Sequence, residues 1–449
     1  MKLLRRILAR WTLAVTLRAA LLVAVPAAVV LFLPAPWSGL MAALWLVIAG
    51  VLIRRDANAA PRPDELEWKR ELPARLSIGV PNQVTLSVHN ASPRQAMITA
   101  RETPPPGFVG DRAVGQMEVP PRGDAEVTLT FTPPGRGLFR FGGVGVRSLG
   151  PRGLAGWLFT APVDQDAKVY PDIQAVKSYS LLARRGALAE LGVKKIRFAG
   201  AGTEFESLRE YQSGDDYRDI DWKATARRGK PVVRSFESER SQTMVLAVDA
   251  GRLMTPQVGV GTLAKLDRAI NAALLLAYLG TERDDLVGLL VFGRDVIAYL
   301  PPKKGHRQFL AILEALYSVE GTVEEPDYGR ALRYLAARLS KRSLVVLFTD
   351  LVGAEPSKRL IDVLAGLSPR HLPLVITQRN RVIEAKAVAE VNTETDAFSA
   401  AVAEDVLRDK AAALRVLSSR GAMVLDVHPE ELSVAAVNRY LEVKARGRL

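Results

Sequence analysis

Four aspartates within seven positions, Asp215, Asp216, Asp219 and Asp221, form the densest set of reactive side chains in the chain. Carboxylates at that spacing could hold two divalent ions for hydrolysis. Arginines argue for another use: Arg209, Arg218, Arg227, Arg228, Arg234 and Arg240 interleave with the acids between Gly202 and Arg240. Alternating guanidinium and carboxylate groups suit bidentate ion pairs, and Trp222 and Phe236 can pack beneath them. The economical reading is a clasp or interaction surface in which Arg209, Tyr211, Gly214, Asp215, Asp216, Arg218, Asp221, Trp222 and Arg227 form one signature. No serine, histidine or cysteine nucleophile set accompanies the acids. The chain is therefore expected not to be an enzyme, and the alternative is a metal-dependent hydrolase using Asp215, Asp216 and Asp221.

A second pair of carboxylates stands at strand ends. MVLAVDA ends on Asp249, and SLVVLFTD ends on Asp350. Runs such as VLAV and VVLF are apolar on both faces, as in a buried parallel sheet. They alternate with amphipathic stretches such as LAKLDRAINAALLLAYLG and AAVAEDVLRDKAAALRVLSSRG. This βαβ alternation predicts a doubly wound α/β domain over residues 243–449. Ligands of such sheets bind outside the carboxyl ends of the strands. Asp249 and Asp350 could meet there and hold a divalent cation, and magnesium suits so small a carboxylate set.

Upstream, residues 61–170 switch to period-two alternation. QVTLSVHN, AMITARE and AEVTLTFTP are short and β-branched, with Pro-, Gly- and Asn-rich turns between them. That spacing predicts an antiparallel β-sandwich without a catalytic set. Residues 171–242 then read as a linker that carries the charged signature.

Residues 1–60 are of a different kind. Leu13–Leu33 and Trp37–Ile53 are apolar runs separated by Pro-rich PAPWS. Each approaches the roughly 20 helical residues that a bilayer requires. Lys2, Arg5, Arg6 and Arg10 precede the first run, and Arg54 and Arg55 follow the second. By the positive-inside rule, both ends of a transmembrane helical hairpin lie in the cytoplasm. The expected location is the inner (cytoplasmic) membrane, multi-pass, with the soluble domains facing the cytoplasm. The absence of cysteine excludes disulfides and thiolate metal sites. The net charge of +13 suits an anionic neighbour. No nucleic-acid-binding module or basic stripe with interleaved aromatics is found, so nucleic acid is not the expected partner.

The order VLAVDAGRLM, LDRAINAALLLA, DLVGLLVFG and LVVLFTD resembles a von Willebrand factor A domain. Preceded by GTEF, LREY, GDD and RDIDWKATAR, it resembles the bacterial domain-of-unknown-function-58 family, to which the paired spans and PGRGLFRFG are also similar. The resemblance implies a membrane helical hairpin, a β-sandwich and a von Willebrand factor A-like domain. It implies a chaperone-like adaptor or assembly factor that works with a MoxR-type AAA+ ATPase or its client. It also implies a metal site: Asp249 matches the first ligand of the Asp-x-Ser-x-Ser loop, Thr322 could supply the threonine, with Asp327 near it, and Asp350 matches the later aspartate. Gly251 and Leu253 stand where the two serines belong, so the implied magnesium site is degenerate.

Overall fold

The computed structural model describes residues 12–30, 37–110, 114–184, 192–193, 204–212, 217–237, 241–256, 263–352 and 354–446. The chain divides into two units, Met1–Tyr170 and Pro171–Leu449.

In the first unit the opening apolar run is not helical from Leu13. Thr12–Val15 is a strand, antiparallel to Ala155–Ala161 with Thr12 opposite Leu158. A helix follows over Leu17–Val30. Hydropathy along the chain cannot reveal this, because the partner strand lies far away in sequence. The second run forms the helix Trp37–Ala59, which is long and apolar enough to cross a membrane and is exposed along its apolar length. The 14 described residues of Leu17–Val30 reach about 21 Å, short of the roughly 30 Å bilayer core. The indole N–H of Trp45 donates to the Leu22 carbonyl at 3.0 Å and ties the two helices together.

One turn of the β-rich part holds both ends of this hairpin. The Thr16 hydroxyl donates to the carbonyls of Gly153 and Leu154 at 2.7 and 3.0 Å. Asp56, fully buried at the far end of the second helix, accepts from the amides of Arg152, Leu154 and Ala155 at 2.9, 2.6 and 3.1 Å. The helix approaches so closely that a Cβ on Gly150 would stand 2.2 Å from the Asp56 carbonyl oxygen, so only glycine fits.

Most of the remaining strands of this unit are antiparallel. One sheet carries Ala155–Ala161, Val144–Leu149, Ala96–Arg101 and Val114–Val119. Another carries Leu66–Glu71, Asn82–Asn90, Asp124–Thr132 and Val109–Gly110. Alternate residues such as Val84, Leu86, Val88, Ile98 and Val146 are buried, as the period-two pattern requires. An ion pair crosses the interior. Arg70 reaches Glu102 in bidentate fashion at 2.8 and 3.1 Å and also donates to the carbonyls of Val163 and Gly142. Burial pushes the Glu102 carboxyl up, and the Arg70 charge opposes it.

The second unit begins with the helix Ile173–Arg184. Within the charged stretch, Glu204–Glu210 and Val232–Glu237 pair antiparallel and flank the short helix Trp222–Arg228. The α/β part has six strands: β1 Thr243–Asp249, β2 Leu286–Phe292, β3 Val296–Lys303, β4 Leu344–Phe348, β5 Leu372–Gln378 and β6 Met423–Val427. Their order is β3-β2-β1-β4-β5-β6, and all neighbours are parallel except β2 with β3. The helices are α1 Lys265–Glu282, α2 His306–Tyr317, α3 Tyr328–Ala336, α4 Ala354–Leu367, α5 Arg381–Ala387, α6 Glu394–Ser419 and α7 Leu432–Ala445. Val245, Ala247, Leu290, Val345, Leu347 and Val375 pack against α3, α4 and α6. Helices α1 and α2 cover the opposite face of β1 and β2, with α7 packed on α1. Burial on both faces explains the unbroken apolar runs.

The tie at Asp56 yields a prediction. Asp56→Ala leaves three amides without an acceptor, that of Ala155 buried, at a cost of about 1–3 kcal/mol. Amide hydrogen exchange of the full chain in detergent should then be about tenfold faster or more at Arg152, Leu154 and Ala155. Unchanged protection at these amides would show that the carboxylate does not hold the turn.

Candidate functional site

Strand order reverses between β1 and β4, so the crevice of this sheet lies beyond the carboxyl ends of these two strands. Asp249 closes β1, and Thr349 and Asp350 directly follow β4. Both aspartates are brought to the crevice and both are buried, at 1% and 2% exposure.

Asp249 is surrounded by donors. Its Oδ1 accepts from the Gly251 amide at 2.7 Å, and its Oδ2 from the hydroxyls of Thr349 at 2.6 Å and Tyr328 at 3.2 Å. Tyr328 and Thr349 also meet each other at 3.0 Å. None of these donors carries charge. Burial therefore dominates and pushes the Asp249 carboxyl up to about 6, with the hydrogen bonds opposing it. The Tyr328 hydroxyl is raised too, by its own burial and by the carboxylate beside it.

Asp350 is treated differently, because it lies between two lysines. Lys265, at the start of α1, pairs with its Oδ2, and Lys410 of α6 pairs with Oδ1 at 3.1 Å. Lys410 also reaches Asp426 at 3.1 Å and the Gln378 carbonyl at 2.7 Å. The Gln378 amide donates to the Lys265 carbonyl at 2.8 Å. These two lysines were not singled out in the sequence. The available signal was a cation in the first turn of a helix, an end that favours acids.

The third expected ligand, Thr322, sits beside the loop that follows Asp249. Its amide and its hydroxyl both donate to the Ala250 carbonyl, at 2.7 and 3.2 Å. Asp327 caps α3 by accepting from the Arg330 amide at 2.8 Å.

These residues do not fit a resident magnesium ion. The oxygens of Asp249 are already engaged by neutral donors, and two ammonium groups neutralise Asp350. The serine position of the implied motif is also sterically closed: a Cβ on Gly251 would stand 2.7 Å from Pro326 Cδ and 2.9 Å from Asp249 Oδ1. Among the described residues no group of three or more His, Cys, Asp or Glu side chains is placed to hold a metal ion.

Beside Asp327 a cleft of about 690 Å³ opens, lined by Arg294, Arg333 and Arg359 and by Glu324, Glu325 and Asp362 among others. Arg252 bridges from the Asp249 loop to Glu325 and to the Glu324 carbonyl.

Gly214, Asp215 and Asp216 lie outside the described residues. Of the rest of that signature, Asp221 caps the helix Trp222–Arg228, accepting from the Ala224 amide at 2.9 Å. Arg209 lies on the strand Glu204–Glu210, with Tyr211 just after it. Arg218 stacks over the exposed Tyr217 ring at 5.9 Å. Trp222 does not pack beneath the charges but is 69% exposed, and Arg227 is exposed beside it.

Residues 207–412, which reach from the charged hairpin to α6, match the family described as protein of unknown function DUF58. Uncharacterized proteins of Mycobacterium bovis and Mycobacterium tuberculosis are each 26% identical over 266 residues, covering 56% of this chain and 82% of the relative. Among solved structures, the SpRpn10 VWA domain is similar at a TM-score of 0.29 and 13% identity, over 44% of this chain and 94% of its own. A CARDB domain of a Pyrococcus furiosus protein matches at a TM-score of 0.16 and 13% identity, over 23% of this chain and 86% of its own. Likenesses this low carry no argument about function.

Two predictions follow from the charges. Asp249 holds its proton to about pH 6 when folded, against 3.8 for an ordinary aspartate. A raised carboxyl means that the folded state binds the proton more tightly. Its stabilisation is full below the unfolded value and is lost as the pH rises through the folded one. Relative to Asp249→Asn, the wild type should lose about 3 kcal/mol of stability between about pH 4 and pH 7. Parallel denaturant titrations that show no divergence would refute this.

Lys265→Met leaves Asp350 with Lys410 alone and should cost about 3 kcal/mol, read as faster exchange of the β1 and β4 amides. Magnesium or a chelator should leave those amides unchanged, because a ligand of the folded state alone would slow their exchange.

Proposed function

We propose that this chain is a membrane-anchored, cytoplasm-facing adaptor that binds a MoxR-type AAA+ ATPase or its client through a von Willebrand factor A-like unit. The observation that carries this reading is the charged cleft beside Asp327. Three arginines and four carboxylates, Asp327 among them, line an open surface at the start of α3. Such a surface suits electrostatic recognition of another protein. Asp249 acts from beneath it by fixing the Gly251 loop and the Thr349 and Tyr328 hydroxyls. Recognition here is metal-independent, because Lys265 and Lys410 supply the positive charge that a cation would bring.

The helix Trp37–Ala59 is the anchor, and Arg54 and Arg55 mark its cytoplasmic end. Both hairpin ends are tied to the turn at Arg152–Ala155, which supports a reading with both on one side of the bilayer.

The exposed arginines of the cleft provide the test. Arg333→Glu with Arg359→Glu should abolish co-purification of an AAA+ ATPase from gently solubilised membranes and leave the melting temperature within a few degrees of wild type. Capture of that ATPase at wild-type yield by the variant, or in full dependence on magnesium, would overturn the proposal.

A further inference from the structure

Two surfaces of the second unit remain unexplained by this reading. The first is the helical hairpin α5–α6. Residues 388–398, which join the two helices and open α6, are all exposed. Apolar side chains stand out in solvent there: Val388 is 85% exposed and Phe398 72%, with Val391 and Val402 exposed as well. Around them, between Ala387 and Val406, lie five carboxylates (Glu390, Glu394, Asp396, Glu404 and Asp405) and no lysine or arginine. So acidic a stretch is unexpected in a chain of net charge +13. The thread that starts α6 is well built, with Thr393 and Asp396 in a reciprocal capping box. The apolar exposure therefore belongs to a formed helix and not to a frayed end.

The second surface is the turn and helix at Tyr217–Lys230. It exposes two aromatic rings, Tyr217 and Trp222, at 68% and 69%. Arg218 lies over the Tyr217 ring at 5.9 Å, and Lys223, Arg227 and Arg228 of the same helix are exposed as well. The helix has only two turns, yet it is capped at both ends, by Asp221 and by Gly229 in the left-handed region. Trp222 is thus held outward by a formed element.

One surface is apolar and acidic, the other aromatic and basic. Tyrosine, tryptophan and arginine are enriched at interface centres, and opposite potentials steer and register two faces. We propose that the α5–α6 tip of one copy docks on the Trp222 face of a second copy. Because the two patches differ, the contact is head-to-tail, and it closes into a ring or extends as an open chain. A second copy is favoured over a foreign protein because the complementary surface is present on this chain itself. The inference stands apart from the adaptor cleft and uses none of its residues.

The test uses the full chain in detergent, with mass measured by light scattering. Wild type should associate at low salt and dissociate by at least tenfold at about 0.5 M salt, where charge is screened over a few ångströms. Glu390→Lys with Glu394→Lys, and separately Arg227→Glu with Arg228→Glu, should each reduce association by at least tenfold. An equimolar mixture of these two variants should recover it, because each supplies the face that the other lacks. Phe398→Ser should weaken association without changing the melting temperature. The proposal is overturned by a monomeric wild type, by variants that associate like wild type, by a mixture that stays dissociated, or by a Trp222 face that binds acidic vesicles and not a second copy. ATPase capture by the Glu390→Lys, Glu394→Lys variant separates this outcome from the cleft, since capture should persist.

Discussion

A carboxylate buried at the end of a parallel sheet has to be neutralised, and the way this chain does so shapes everything around it. Two aspartates meet the same problem side by side. Asp350 receives two ammonium groups, from α1 and from α6, so one pair of contacts ties both layers of helices to the sheet edge. Asp249 receives only neutral donors and keeps its proton to about pH 6. The difference follows from reach. Lysines at the start of α1 and within α6 can extend to β4, whereas the close approach of Pro326 to Gly251 leaves no room for another side chain beside Asp249. A site that resembles a cation centre in its residue order is thereby built as an internal salt bridge.

The same physics recurs in the first unit with backbone donors. Asp56 is as buried as Asp350, yet three amides of a single turn satisfy it. Thr16 binds carbonyls of that turn from the other end of the hairpin. An apolar helix that leaves its length exposed gains little orientation from hydrophobic burial. Directed hydrogen bonds at its polar end supply that orientation. Arg70 and Glu102 repeat the pattern in the β core, where the arginine also satisfies two carbonyls. In each case a buried charge specifies one arrangement of the elements that contribute its partners.

With these charges internal, the surface charges are left for association. The cleft beside Asp327, the acidic tip of α5–α6 and the basic aromatic face at Trp222 are all built on capped helices or short loops.

Much of this was legible in the residues themselves. The apolar runs MVLAVDA and SLVVLFTD identified strands buried on both faces, and their terminal aspartates lie at the crevice, because strand period and burial are local properties of a sequence. The alternating strands at Asn82–Asn90 and Asp124–Thr132 were equally plain, as was the apolar helix Trp37–Ala59. What only the tertiary structure decided were the partners. Thr12–Val15 looked like the start of a helix until a strand about 140 residues away paired with it. Trp222 looked like a buried plate beneath charges, yet it stands exposed. Lys265 and Lys410 stand 145 positions apart in the chain and meet only because β1, β4 and the helices above them converge on Asp350. Periodicity and hydropathy state what a segment prefers, whereas the neutralisation of a buried charge depends on which groups the fold brings within about 3 Å of it.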